Sequence, residues 1–353
     1  MKRGRSVFVR IGERQIGNNN PVFIIAEAGV NHNGDIKFAK KIIDAAKKSG
    51  ASAIKFQTFK ASNLVTKTAP KAKYQKIKKS NKSQFDMLKD LELSDSDFRE
   101  LFVYCQKKKI IFLSTPFDQQ SAGFLYDLGV SAFKISSGDL TDIPLLQKIA
   151  GFKKPIILST GMSTLAEVKE AVKAIYVINN RQLILLHCTS NYPTKFRDVN
   201  LKAILTLRKE FNLPIGYSDH TEGVEIPIAA IAMGACIIEK HLTLDKNLLG
   251  PDHKASLNPE EFSEMVDSIR IIEMAMGNGI KNPTKSEIEM RKVARKSIVT
   301  VRDISKGERI TRDMLAVKRP GTGIPPKLLT LLIGKYANRM IKKDNVLNWG
   351  LIS

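Results

Sequence analysis

The sequence predicts an α/β fold: a (β/α)8 (TIM) barrel followed by a small second domain. Three observations predict it. Eight short apolar, β-rich runs recur between residues 22 and 242. Amphipathic stretches with helical spacing separate them. Beyond about residue 280 that rhythm stops, and short strand-like runs punctuated by Gly take over. Strand, helix, strand at this spacing reads as βα units with parallel strands. Eight such units close a barrel. A doubly wound open sheet is the alternative, but its GxGxxG fingerprint is absent after the first run.

The runs are VFIIAEAG (22–29), SAIKFQTF (52–59), IIFLST (110–115), SAFKISSG (131–138), PIILSTG (155–161), QLILLHC (182–188), PIGYSD (214–219) and CIIEKHL (236–242). Between them, stretches such as IKFAKKIIDAAKKSG (36–50) and TLAEVKEAVKAIYVI (164–178) carry the helical pattern. Asp35 is placed to cap the first of these, after a tight turn at Asn31–Gly34. One interval, Phe59 to Ile110, exceeds a single helix. Its Lys-, Ser- and Asn-rich part, 60–82, predicts a long loop at the catalytic end of the barrel, where a basic segment can close over an anion. The barrel domain is expected over 1–281, a linker over 282–290, and the small domain over 291–353. A core of that size is marginal alone, so the small domain is expected to lean on the barrel or on a second subunit.

Bulk properties narrow the class. The chain has 353 residues and 43% hydrophobic content, enough for a large core. No apolar run of about 18 residues occurs, so no membrane span is expected. The N-terminal MKRGRSVFVRIGERQ does not read as a signal peptide. Three cysteines without a CxxC pair fit a reducing compartment. A cytoplasmic location is therefore expected. The formal charge of +22 admits a polyanion partner such as RNA, or a Lys-rich solvated surface that attracts anionic substrates. The lysines are scattered through helical patterns, with their densest cluster at Lys71–Lys79, and no basic stretch carries interleaved aromatics. No nucleic-acid partner is expected, and a non-catalytic RNA-binding protein is the remote alternative.

In such a barrel the active site lies at the C-terminal ends of the strands. The polar residues ending the runs are Glu27, Lys55 with Gln57, Ser114 with Thr115, Lys134 with Ser136 and Ser137, Ser159 with Thr160, His187, Ser218 with His220, and Glu239 with His241. Residues two apart share a strand face. A lone Lys in an apolar strand is expensive to bury unpaired, so Lys55 and Lys134 are candidate anion ligands, or else partners of structural carboxylates. His220 and His241 end consecutive runs. Adjacent strands lie about 4.8 Å apart, so the two imidazoles can share one Mn²⁺, Zn²⁺ or Fe²⁺ ion acting as a Lewis acid. Glu239 is a further ligand or an orienting group. Glu27 is a base or a hydroxyl partner. His32 and His187 read as structural.

These motifs together resemble the N-acetylneuraminate (sialic acid) synthase family, which includes N,N'-diacetyllegionaminate synthases. The matching segments are IAEAGVNHNG, KFQTFKA, STPFD, FKISSGD, ILSTGM, HCTSNYPT, GYSDHTEG, EKHLTLD, GPDHKAS and VARKSIV…VKRPGTG, in order from residue 25 to 323. The resemblance implies a barrel followed by an antifreeze-like (SAF) domain, in a domain-swapped homodimer. It implies condensation of phosphoenolpyruvate (PEP) with the open-chain aldehyde of N-acetylmannosamine, releasing phosphate by C–O cleavage. The alternative acceptor is 2,4-diacetamido-2,4,6-trideoxymannose, in which C4 carries an acetamido group and C6 a methyl. A divalent metal is implied, usually Mn²⁺, with Mg²⁺ and Co²⁺ as alternatives.

By motif, His220 and His241 match the metal ligands, and with Glu27 and Lys55 the catalytic set. Thr115, Lys134, Ser137, Ser159 and Ser218 match PEP contacts. Gln57, Tyr192 and Asp252 match sugar contacts, and Arg319 matches a residue lent to the other subunit's site. Thr189 and Ser190 depart from the Asn often found after His-Cys, which puts a phosphate contact at Ser190 in question. The Gly250–His253 run disfavours pseudaminate chemistry.

Overall fold

The computed structural model describes residues 7–17, 20–71 and 83–353. The chain divides into two compact units, Met1–Gly277 and Asn278–Ser353. The first opens with a hairpin that the sequence reading did not anticipate, β1 (Phe8–Ile11) and β2 (Arg14–Gly17). Gly12 sits at φ +57° in its turn, a conformation that favours glycine.

All eight predicted runs are strands: β3 (Phe23–Gly29), β4 (Ala53–Thr58), β5 (Ile111–Pro116), β6 (Phe133–Ile135), β7 (Ile156–Ser159), β8 (Leu183–Cys188), β9 (Ile215–Asp219) and β10 (Ile237–His241). They form one parallel sheet in the order β5-β4-β3-β10-β9-β8-β7-β6. The two end strands, β5 and β6, lie side by side, so the barrel is nearly closed. The principal crossover helices are α1 (Ile36–Lys48), α4 (Asp95–Lys108), α5 (Gln119–Leu128), α6 (Ile143–Gly151), α7 (Leu165–Val177), α8 (Ala203–Phe211) and α9 (Glu225–Ala232), and α10 (Pro259–Met276) follows the last strand. Among the described residues between β4 and α4 lie two short helices, α2 (Ala61–Leu64) and α3 (Gln84–Leu91). Asp35 caps α1 by accepting from the amides of Lys37 and Phe38, as its position in sequence suggests.

Strand parity separates two cores. Ile24, Ala26, Ile54, Phe56, Leu158, Leu185 and Ile238 point outward and pack under the helices. Phe23, Ile25, Ala53, Leu113, Ile157, Ile184, Leu186 and Ile237 point into the barrel. Val9, Ile11 and Ile16 of the hairpin join that inner cluster, so the hairpin plugs the N-terminal end of the barrel. The inner wall is therefore apolar at the bottom. One step further along each strand it becomes polar.

The 60–82 segment expected as a loop contains the single-turn helix α2, and its residues 72–82, with most of the Lys71–Lys79 cluster, lie outside the described residues. The expected linker at 282–290 is instead largely helix α11 (Lys285–Ala294). Thr284 and Glu287 form a capping box at its start, a signal legible as T-x-x-E. The second unit adds the antiparallel pair β11 (Ser297–Thr300) and β12 (Leu315–Lys318), and has its own core around Ile298, Ile304, Ile310, Ile324, Ile341 and Leu347. Among the described residues no helix is long and apolar enough to cross a membrane.

Candidate active site

At the C-terminal ends of the barrel strands lies a cavity of about 450 Å³. The parity rule fills it. From Ile25 the inner face of β3 continues to Glu27, from Ala53 that of β4 to Lys55 and Gln57, and from Leu113 that of β5 to Thr115. In the same way Lys134, Ser159, Cys188, Ser218, Glu239 and His241 project from β6, β7, β8, β9 and β10. Ser137, Ser190, Tyr192, His220 and Asp252 join from the loops that follow.

Glu239 is the hub of the floor. Its Oε1 accepts from Lys134 Nζ at 3.2 Å and from Ser218 Oγ at 3.0 Å, with Lys55 Nζ at 3.8 Å. Lys55 also pairs with Glu27 and donates to Thr115 Oγ1 at 3.3 Å. All four charged groups are nearly inaccessible to solvent. Burial works to raise the pKa of Glu239, but the ammonium groups of Lys134 and Lys55 outweigh it and bring the carboxyl to about 2. For Glu27 burial wins over the attraction of Lys55, and the nearby Glu239 charge adds to it, raising the carboxyl to about 7. Burial lowers Lys134, against the pull of Glu239. Burial also opposes charge on Lys55, but Glu239 and Glu27 hold its pKa above the ordinary value. The floor thus offers two ammonium groups to an incoming anion around one firmly ionised carboxylate.

Beside this floor the rings of His220 and His241 stand 5.6 Å apart, with Tyr192 4.1 Å from the first and 5.6 Å from the second. His220 Nδ1 lies 2.7 Å from the carbonyl oxygen of Thr189. A carbonyl only accepts, so Nδ1 carries the proton and Nε2 keeps its lone pair. Burial lowers the pKa of both rings, and His220 further lowers that of His241. His241 Nδ1 is buried without a hydrogen-bond partner. Two neutral imidazoles with uncommitted nitrogens could hold a divalent cation, and the Thr189 carbonyl fixes the orientation of one of them. Among the described residues no group of three or more His, Cys, Asp or Glu is placed to cage a metal.

In the loops after β6 and β7 Gly161 N donates to Ser137 Oγ at 3.0 Å, and Ser137 Oγ lies 3.0 Å from Cys188 Sγ. Ser159 Oγ is buried without a partner. A Cβ at Gly161 would stand 2.4 Å from Ser190 Oγ, 2.8 Å from Ser137 Oγ and 2.9 Å from Cys188 Sγ. This corner is a cradle of small hydroxyls with no room to spare.

The family follows from the whole chain. Residues 42–281 match the NeuB family, and residues 295–353 match the SAF domain. The chain belongs to the NeuB family. This NeuB-family chain is 49% identical over 343 residues to an N,N'-diacetyllegionaminic acid synthase of Legionella pneumophila, covering 96% of each. It is 48% identical to the protein of that name from Campylobacter jejuni, covering 92% of this chain and 98% of the other. Among solved structures, the N-acetylneuraminic acid (sialic acid) synthetase of Leptospira borgpetersenii superposes with a TM-score of 0.73 at 40% identity, over 81% of this chain and 95% of that one. The barrel-plus-SAF architecture expected from the sequence is therefore the fold of the family member itself, and the chain is a synthase of the sialic, legionaminic and pseudaminic acid type.

The structure gathers Glu27, Lys55, Gln57, Thr115, Lys134, Ser137, Ser159, Tyr192, Ser218, His220, His241 and Asp252 around one cavity. Arg319 lies exposed in the second unit. His187 faces outward, with Nε2 2.7 Å from the Val199 carbonyl oxygen. Lys240 and Asp219 pair in the outer core, fully buried, away from the cavity. Sequence reasoning left the role of Glu239 open and gave Cys188 none. The signal for Glu239 was present: a carboxylate two residues before His241, in an apolar strand whose inner face already held a ligand candidate.

Proposed function

We propose that this chain is a PEP-dependent nonulosonate synthase. It condenses PEP with the open-chain aldehyde of an N-acylated amino sugar and releases phosphate. The observation that carries the reading is the joint presence, in one cavity, of the Lys134–Glu239–Lys55 array and the neutral His220–His241 pair 5.6 Å apart. An array of buried ammonium groups suits a small polyanion such as PEP. A pair of neutral imidazoles suits a divalent ion.

Lys134 and Lys55 take the PEP carboxylate and phosphate, with Thr115, Ser137, Ser159 and Ser218 donating to the remaining oxygens. Gln57, Tyr192 and Asp252 orient the sugar. C3 of PEP attacks the aldehyde carbon, forming the new C–C bond, and the aldehyde oxygen takes up a proton. Water adds to C2 and gives its proton to Glu27, whose pKa of about 7 fits that exchange. The C2–O bond to phosphate then breaks as the C2 hydroxyl passes its proton to the leaving phosphate oxygen, which gives the 2-keto acid and inorganic phosphate. A divalent cation held by His220 and His241, Mn²⁺ first and Mg²⁺ or Co²⁺ as alternatives, supplies polarisation of the aldehyde. In a homodimer, Arg319 of the SAF domain completes the partner's site.

N-acetylmannosamine and its 2,4-diacetamido-2,4,6-trideoxy analogue both fit this chemistry. The names of the Legionella and Campylobacter relatives favour the second. Phosphate release measured with PEP, Mn²⁺ and each sugar tests the proposal. Release with one or both is expected, and none with either overturns it.

A further inference from the structure

The cavity is chemically two-sided. At the strand ends it is lined by ammonium, carboxylate, hydroxyl and imidazole groups, Glu27, Lys55 and Thr115 of β3–β5 among them. The segments that follow β3, β4 and β5 line it differently. Val30 follows β3, Leu64 ends α2, Met87, Leu88 and Leu91 come from α3, and Phe117 follows β5. These six side chains line the cavity. With Phe59 they also form a small apolar cluster of their own, separate from both barrel cores. Val30, Phe59 and Leu91 are fully covered, whereas Leu64, Met87, Leu88 and Phe117 are only partly covered, so the cluster keeps an accessible apolar surface on the cavity side. The amides of Gln57 and Gln84 line the same cavity, with the charged groups of Glu27, Lys55 and Asp252.

We infer that this wall receives the far end of the acceptor sugar and selects a deoxy, acetamido-bearing hexose over a fully hydroxylated one. The inference rests on the synthase reading above and adds the residues that discriminate. In that reading the aldehyde carbon meets PEP between the lysine floor and the histidine pair. The ionic side of the cavity is then occupied, and the remaining carbons extend towards the apolar side. A C6 methyl and the methyl of a C4 acetamido group lose nothing by entering it. A C6 hydroxyl would shed its water without a donor or acceptor among the six side chains. The amides of Gln57 and Gln84 match a C4 acetamido group better than they match a lone hydroxyl.

The test is the ratio of kcat/KM for 2,4-diacetamido-2,4,6-trideoxymannose over N-acetylmannosamine, read by phosphate release, in wild type, Met87→Gln and Met87→Leu. The expected wild-type preference is roughly 10- to 100-fold for the trideoxy sugar. Met87→Gln lowers the ratio about fivefold or more with the KM for PEP unchanged, and Met87→Leu keeps it. Leu64→Gln gives an independent second measurement of the same loss. Release with both sugars at a ratio that neither Gln variant moves overturns this assignment while leaving the synthase reading intact. No release with either sugar overturns the synthase reading and this inference with it.

Discussion

Lys134 Nζ stands 3.2 Å from Glu239 Oε1, and both groups are buried at the mouth of the barrel. Glu239 is the carboxylate that Lys134 pairs with, and a buried charge without a partner costs several kcal/mol. Glu239→Gln leaves Lys134 and Lys55 facing each other with only Glu27 to balance them. The unliganded protein is expected to melt roughly 5–10 °C lower, from a loss of about 3 kcal/mol. Adding PEP should recover more of that loss than it adds to the wild type, since the ligand brings the missing negative charge. Thermal unfolding with and without PEP checks this; equal PEP shifts in the two proteins would refute the account.

The histidine pair makes a separate prediction. His220→Ala and His241→Ala each remove one nitrogen ligand and little packing. Mn²⁺ binding measured by calorimetry should weaken at least about tenfold in either variant, while circular dichroism stays that of the wild type. An unchanged Mn²⁺ affinity would exclude these residues as the ligands.

Much of this site is legible in the sequence. Strand parity alone puts Lys55 beside Gln57, Ser218 beside His220 and Glu239 beside His241, because a period of two is a local property. Which of two buried charges meet is not local. Lys134 and Glu239 are 105 residues apart, and their pairing depends on the near-closure of β5 on β6 around the barrel. The apolar wall was illegible for a different reason. Met87 and Leu88 sit in a short helix past a Lys-rich stretch, where periodicity is too brief to reveal a face. The hairpin plug escaped because its four-residue strands show no more alternation than a loop does.

Acid should loosen the barrel through His32. Burial lowers its pKa from 6.5 to about 4, opposed by the charges of Asp35 and Asp97. Between those values the unfolded chain binds a proton that the folded chain refuses, so stability falls as pH drops from 6.5 towards 4. The full effect of this one ring is about 3 kcal/mol. His32→Asn, which keeps an acceptor for the Gly34 amide that Nδ1 now receives, should flatten the pH dependence of the denaturation midpoint over that range. A slope identical to the wild type's would show that other groups carry it.

Gly161 has no space for a side chain. Its nearest neighbours are the hydroxyls of Ser190 and Ser137 and the thiol of Cys188, all under 3.0 Å from where a Cβ would stand. Gly161→Ala therefore has to push those groups out of the cradle. The KM for PEP is expected to rise roughly tenfold or more. An unchanged KM for PEP would mean that this corner does not hold the phosphate.

Arg319 tests whether the site is shared. It lies exposed in the SAF unit, and the proposal places it in the partner's cavity. Arg319→Ala should raise the KM for the sugar and leave Mn²⁺ binding as it was. His220→Ala should be inactive for a different reason. When the two variants are unfolded together and refolded, a mixed dimer has one cavity with an intact histidine pair and, from the other subunit, an intact Arg319. About half of the dimers formed at random are mixed, and each carries one whole site out of two, so activity near a quarter of the wild type's should return. If the arginine acts within its own chain, no mixed dimer contains a whole site and the mixture stays at the average of its two components.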